Sequence, residues 1–307
     1  MKTVIAILPA ALAMLATAAP ARAQDTDLEI ELREVIRDAS EQRQLGNAFL
    51  TVSVFGATPG VAGARLDVKD SPNSDGLKIS TLKGSPYFEL FEEELPIRPY
   101  FEGTFSWLQA DQDISFDFAP SGPTDIALEF DALTALGGVG LAIDFARDWT
   151  FRPILQAGWT KVTDDQDIKG PLATEIRNAG DGILFDVEMK SWLYGGALEL
   201  EYDRTWQNDI DFVAKGRYNH LYSDVYEASD PVLESDGDFG IANANLQFDG
   251  PLNATLFNRD LRWIVYGGGT WLEGDQKDVL GFSWFTQVGA GIEIVAPNVL
   301  PYIEGGQ

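Results

Sequence analysis

The chain carries one histidine and no cysteine, so few of its side chains can move a proton or attack a substrate near neutral pH. His220 stands in "GRYNHLYSD", three residues before Ser223. An imidazole that takes the proton of a nearby hydroxyl turns it into a nucleophile for acyl transfer. No third residue presents itself to orient the ring, and the plainer reading is a histidine between two tyrosines, Tyr218 and Tyr222, that does no chemistry. Carboxylates cluster at Asp164, Asp165 and Asp167, and again at Asp236 and Asp238. Their oxygens could hold a divalent cation weakly, but the ligand spacing of a calcium loop is missing. "GGG" at positions 267–269 has no lysine beside it and no helix behind it, so it is not a phosphate cradle. The sequence therefore points to no catalytic residue, no cofactor and no built metal site.

Charge narrows the partners. Forty-eight acidic residues against 22 Lys and Arg give a net charge of −26, which repels nucleic acid. Divalent cations are the natural counter-ions for such a surface, and acidic loops are where they would collect. At the N-terminus, Lys2, an apolar run over residues 4–19 and the Ala21-Arg22-Ala23 pattern read as a secretory signal spanning residues 1–23. No later run is long and apolar enough to cross a membrane as a helix. A cysteine-free exported chain with 30 Gly, 8 Trp, 9 Tyr and 18 Phe suggests the envelope of a Gram-negative bacterium.

Residues 24–47 hold one helical pattern, with Leu28, Leu32, Val35, Ile36 and Ala39 on a common face. From Ala48 onward the period changes to two. In residues 149–160 the odd positions read Trp, Phe, Pro, Leu, Ala, Trp, and the even ones Thr, Arg, Ile, Gln, Gly, Thr. Residues 98–107, 261–271 and 280–295 separate in the same way. These runs are longer than the five or six residues usual for soluble strands, and long enough for a tilted strand to cross a bilayer. Their apolar faces carry aromatics near both ends, the arrangement of residues that sit at the two membrane interfaces. Trp107, Trp149, Trp159, Trp263, Trp271 and Trp284 are the belt candidates.

The connections alternate between tight turns, such as Arg147-Asp148, and longer acidic segments, which is the layout of a transmembrane barrel. "GTFSWLQADQD", "AGWTKVTDDQD" and "GGTWLEGDQKD" then have one meaning: an upward strand reaches the outer interface at its Trp and leaves the membrane into an acidic loop. There the cations would bridge carboxylates to lipopolysaccharide phosphates. The opposite faces carry Arg98, Glu102, Arg152, Gln156, Lys215, Arg217, Arg262, Glu293 and Glu304, with Glu199, Glu201, Asn243, Asn245 and Gln247. Mixed signs on neighbouring strands predict internal ion pairs, because charges in a packed interior must be paired. The lumen is read as narrow or plugged, passing small solutes at most.

Eleven strands can be counted, and bacterial barrels have an even number, so the spacing predicts about twelve with the last beyond Gln307. A ten-stranded barrel with a tail is the alternative. The chain resembles autotransporter-type outer-membrane barrels, closest to the solitary ones without a passenger. The resemblance covers residues 48–307 and rests on strand count and on Gly-rich upward strands such as "WIVYGGGTW" and "FTQVGAGIEIVAPNVLPYIEGG". It implies an all-β antiparallel up-and-down barrel with a short N-terminal helix able to enter the lumen. It also implies contact with outer-membrane lipids and lipopolysaccharide, and insertion by the barrel-assembly machinery. Members normally end in an aromatic residue, which Gln307 is not. The function expected is structural display rather than catalysis. The rivals are a soluble ligand-binding β-protein and a lipid hydrolase using His220 and Ser223.

Overall fold

The computed structural model describes residues 25–42, 46, 49–51, 53–54, 58–59, 66–68, 74–90, 95–118, 122–170, 173–206, 208–256, 259–274, 277 and 282–294. The signal candidate and Glu304 lie outside them. Helix α1 (Asp25–Gln42) precedes β1 (Leu66–Val68), β2 (Ser74–Gly84), β3 (Tyr87–Glu89), β4 (Ile97–Phe118), β5 (Gly122–Ala146) and β6 (Trp149–Lys169). Helix α2 (Ala173–Gly180) follows, then β7 (Glu188–Trp206), β8 (Ile210–Ala228), a 3-10 turn (Pro231–Leu233), β9 (Asp236–Leu256), β10 (Arg259–Gly274) and β11 (Trp284–Ile294). The strands form one antiparallel sheet in sequence order, an all-β up-and-down barrel wall.

β3 is the continuation of β2. Gly84 pairs with Phe105 and Tyr87 with Glu102, so both strands share one register on β4. Only Ser85-Pro86, where proline has no amide to give, interrupts the line. Among the described residues β1 and β11 stand at the two ends of the ladder. The twelfth strand expected from the count falls outside them.

The tight turns lie at one end. Ala146 pairs with Trp149, and Asp148 sits in the left-handed region (φ 64). Trp206 pairs with Ile210, with Asn208 and Asp209 also at positive φ. Asp and Asn tolerate this conformation better than other side chains. The strands extend further at the other end than the sequence suggests. Residues 109–118 and 161–169, read as loop, are strand, because alternation continues through their carboxylates.

Two further readings are corrected. The first upward strand, expected near Ala48, does not start there: among the described residues Phe49, Leu50, Thr51, Ser53 and Val54 are helical. The Ser53 hydroxyl donates to the Phe49 carbonyl at 3.0 Å, and Thr58 N–H to Val54 at 3.0 Å. All five are buried, and a segment enclosed on every side must satisfy its backbone internally, which overrides the β preference of Val, Thr and Phe. The spacing of the strand signals also predicts a downward strand beginning near Ile183. Instead Ile183, Leu184 and Phe185 are buried in the apolar core, and β7 starts at Glu188.

Candidate functional site

On the inward face near the tight turns, β3 to β8 converge on a layer of paired charges. Arg152 stands opposite Glu199, Glu199 opposite Arg217, and Glu201 opposite Lys215. Arg152 donates to Glu199 at 3.0 Å, to Glu201 at 3.1 Å and to Glu89 at 2.9 Å. Arg217 reaches Glu199 at 2.9 Å and Glu102 at 2.6 Å, and Lys215 lies 2.7 Å from Glu201. Glu102 also accepts from Gln156 and from the Tyr100 hydroxyl, both at 2.9 Å. Arg98 joins Glu89 to Asp144. Four cations thus face five carboxylates, with the guanidinium of Arg152 5.4 Å above the Tyr100 ring. Charges are tolerated in such an interior only when paired and hydrogen-bonded this fully.

Room for this layer is made by Gly138. It lies directly opposite Glu102, and a Cβ there would meet the Glu102 side chain at 2.6 Å. Gly268 plays the same part higher up, where a Cβ would meet Asn245 Oδ1 at 2.1 Å. The glycine run 267–269 therefore serves side-chain packing at its middle member. A second charged group surrounds Arg262, which donates to Asp249 at 2.8 Å and to Asp211. Glu293 stands opposite Arg262 on β11. Gln287 donates to Asn245 at 3.2 Å, Gln247 to Asp249 at 3.5 Å, and Asn243 is buried.

Toward the loop end the inward face turns apolar. Leu108, Leu136, Val162, Met189, Leu193, Leu221 and Phe239 form one buried cluster with Ile36 of α1 and with Phe49, Leu50 and Val54. Ile176 and Ala179 of α2 and Phe185 belong to it too. Helix α1 packs on α2 and the 3-10 turn. Arg33 donates to the Asp181 carbonyl at 2.8 Å and to Asp230 at 3.1 Å, while Arg37 lies 3.2 Å from the other Asp230 oxygen.

The outward face is apolar between two bands of aromatics. Trp149, Tyr202, Phe212 and Phe248 form a chain of ring contacts near the tight turns, 4.7–6.0 Å between neighbours. Trp206, unforeseen, stacks on Phe212. At the other end Trp159 donates to Tyr226 at 2.8 Å, and Trp192, also unforeseen, stacks on the same ring. Trp107 donates to Asp131 at 2.7 Å, and Trp271 and Trp284 are register partners. Trp263 lies on the same outward face of β10, partly covered. From Trp149 to Trp159 the strand advances ten residues, about 25 Å along the barrel axis at ~3.3 Å per residue and ~40° tilt, the height of a lipid-facing band.

His220 and Ser223 do not meet. A separation of three along a strand puts them on opposite faces: His220 is turned outward, 3.4 Å from Asp238, while Ser223 is buried and bonded to Ser191 at 3.0 Å. The carboxylates do not converge either. Asp164 accepts from Val187 N–H, Asp165 from Gln166 N–H, and Asp167 pairs with Lys169. Among the described residues no group of three or more acidic or histidine side chains is placed to hold a metal ion. Glu89, Tyr100 and Asp144 belong to the charged layer although nothing in the sequence singled them out. For Tyr100 the signal was the alternation itself, since it shares a face with Arg98 and Glu102; Glu89 had none.

Neither a search of curated proteins nor one of solved structures finds a match to this chain. A family model does: that of the solitary outer membrane autotransporter beta-barrel domain matches residues 77–305, every strand from the body of β2 to β11. Long antiparallel strands, an apolar outer wall between aromatic bands and a charged inner wall are what such a domain requires, and the chain belongs to the family of solitary outer-membrane autotransporter β-barrel domains, in the bacterial outer membrane.

Proposed function

We propose that this barrel is a structural, surface-displaying protein whose lumen is closed, with residues 24–47 and the helical turn after them acting as the plug. One observation carries the reading. Phe49, Leu50 and Val54 are buried in a single apolar cluster with inward side chains of β4 to β9. Fully burying an aliphatic or aromatic side chain is worth about 1.5–3 kcal/mol, so withdrawing three of them into water costs on the order of 5–9 kcal/mol as an upper bound. The paired charges below narrow the path that removal of the plug would open. The aromatic bands supply the two membrane interfaces, with the long acidic loops outside. Divalent cations at those loops and delivery through a cleaved signal and the barrel-assembly machinery complete the proposal.

The test is conductance of the full-length mature protein in a planar bilayer. The intact protein is expected to give no stepwise current, and a variant lacking residues 25–60 to give open steps. Equal steps from both would overturn the closed-lumen reading.

A further inference from the structure

Among the described residues one register pair in the sheet sets two cations side by side: Lys161 on β6 and Lys190 on β7. Like charges directly opposite one another destabilise a sheet, and the pair is conspicuous in a chain of net charge −26. Both lysines lie on the outward face, in line with Trp159 and Trp192, which are themselves register partners two residues nearer the membrane. Lys161 lies 2.9 Å from Glu188, and Lys190 3.3 Å from Glu188 and 2.7 Å from Glu227. Both glutamates are about half exposed, and exposed pairs of this kind are weak enough to be exchanged for a stronger anion.

Below the tryptophans the same strands carry an open apolar depression of about 660 Å³. Val139, Leu155 and Leu198 project around it, and Gly196 opens its floor. Reading down β6 and β7 from the loop end, the outer wall offers a cation pair, two indole rings, then an apolar dent at bilayer depth. That order matches one amphiphile: phosphate, sugar, acyl chain.

The geometry points to a binding surface for a phosphorylated glycolipid of the outer leaflet, its phosphate between Lys161 and Lys190, its sugar on Trp159 and Trp192, and an acyl chain in the depression. Lysine binds phosphate as a point charge, and an indole at the interface presents an apolar face to a sugar ring. A free divalent cation is repelled by the lysine pair. Trp192 stacks on Tyr226 yet stays 53% exposed, and a simple phospholipid satisfies the lysines and the dent but leaves that exposed indole surface without a sugar.

The test uses the full-length protein in detergent, incubated with bisphosphorylated lipid A, with the same lipid freed of phosphate, or with phosphatidylglycerol. The protein is re-isolated by gel filtration and the retained lipid measured by mass spectrometry. Lipid A is expected to be retained about tenfold better than either comparator, as loss of a charge-assisted contact implies. Lys161→Gln/Lys190→Gln should fall to the level of the dephosphorylated lipid while keeping its heat-dependent gel shift. If the double variant fails to fold, Lys161→Gln and Lys190→Gln separately are each expected to lose part of the preference. Equal retention of the dephosphorylated lipid, or full retention by folded lysine variants, overturns the site. Equal retention of phosphatidylglycerol overturns the glycolipid as its occupant.

Discussion

Arg152 and Glu199 stand directly opposite one another on β6 and β7, both buried, and their side chains meet at 3.0 Å. Arg152 also serves Glu89 and Glu201, so its removal leaves three carboxylates short of a partner. Breaking a buried pair from one side costs about 3–5 kcal/mol, more than the pair itself contributes, because the remaining charge stays desolvated. Arg152→Ala is expected to lower the urea midpoint of the folded gel band by a corresponding amount. Arg152→Lys should recover only part of it, since a point charge cannot reproduce the guanidinium fork. An unchanged midpoint for Arg152→Ala would show that the layer is wet.

Leu50 is fully buried beside the inward residues at the loop end of the strands. Leu50→Ala removes apolar contact and leaves a space the rigid wall cannot fill, at a cost of about 2–5 kcal/mol. Leu50→Asp places an unpaired charge in the same cluster and should drive the segment out. The expected readout is stepwise bilayer current from Leu50→Asp, with the heat-dependent gel shift kept because the wall is intact. A silent bilayer together with a normal gel shift would assign closure to the charged layer alone.

Asp230 is 7% exposed at its side chain and holds α1 through Arg33 and Arg37. It also caps the 3-10 turn by accepting from Val232 N–H at 3.0 Å. Asp230→Ala removes the clamp and the cap together, about 1–2 kcal/mol for the cap alone. The helix then opens more often, and proteolysis follows the population of the open form. Trypsin added to outer-membrane vesicles should cut after Arg33 and Arg37 several times faster in this variant, with the barrel band unchanged. Equal cleavage rates would mean that α1 is held by its apolar contacts.

How much of this was legible in the sequence depends on what fixes each element. The face of every residue in β4, β6 and β8 follows from the period of two, so the inward positions of Arg98, Arg152 and Arg217 and the outward position of His220 could be read directly. Glu89 could not. It lies past the Ser85-Pro86 break in "YFELFEEEL", where acidic and aromatic residues sit on both parities and several registers look alike. The helical turn at 49–54 was hidden by Thr, Val and Phe, whose preference for strands yields to an enclosed site that only the tertiary structure creates. Helix α2 did leave a trace: Ile176 and Ala179 stand three apart, and Gly182, in the left-handed region (φ 76), lies just past its end. Partner strands show which carboxylate meets which cation, and that information is not local.

Asp164 faces inward five residues beyond Trp159, outside the membrane-spanning part of β6. One of its oxygens accepts from Val187 N–H, and the other is buried with no partner. Burial, with Asp186 and Asp165 nearby, pushes its carboxyl up to about 7, against the pull of the Val187 N–H bond. The folded form therefore holds a proton that the open form releases near the ordinary carboxylate value. The stability it lends is full below about pH 4 and is lost as pH rises through about 7. Since Asp164 holds the start of β7 to β6, residues 170–187 should be better protected from protease at pH 6 than at pH 8. Asp164→Asn keeps the acceptor for Val187 and cannot ionise, so its protection should equal the acid-state level at both pH values. Hydrogen exchange of the Val187 amide gives the same answer without a protease. A wild-type exchange rate that, after correction for intrinsic chemistry, is flat from pH 6 to 8 would mean that this carboxylate is hydrated and does not hold the loop.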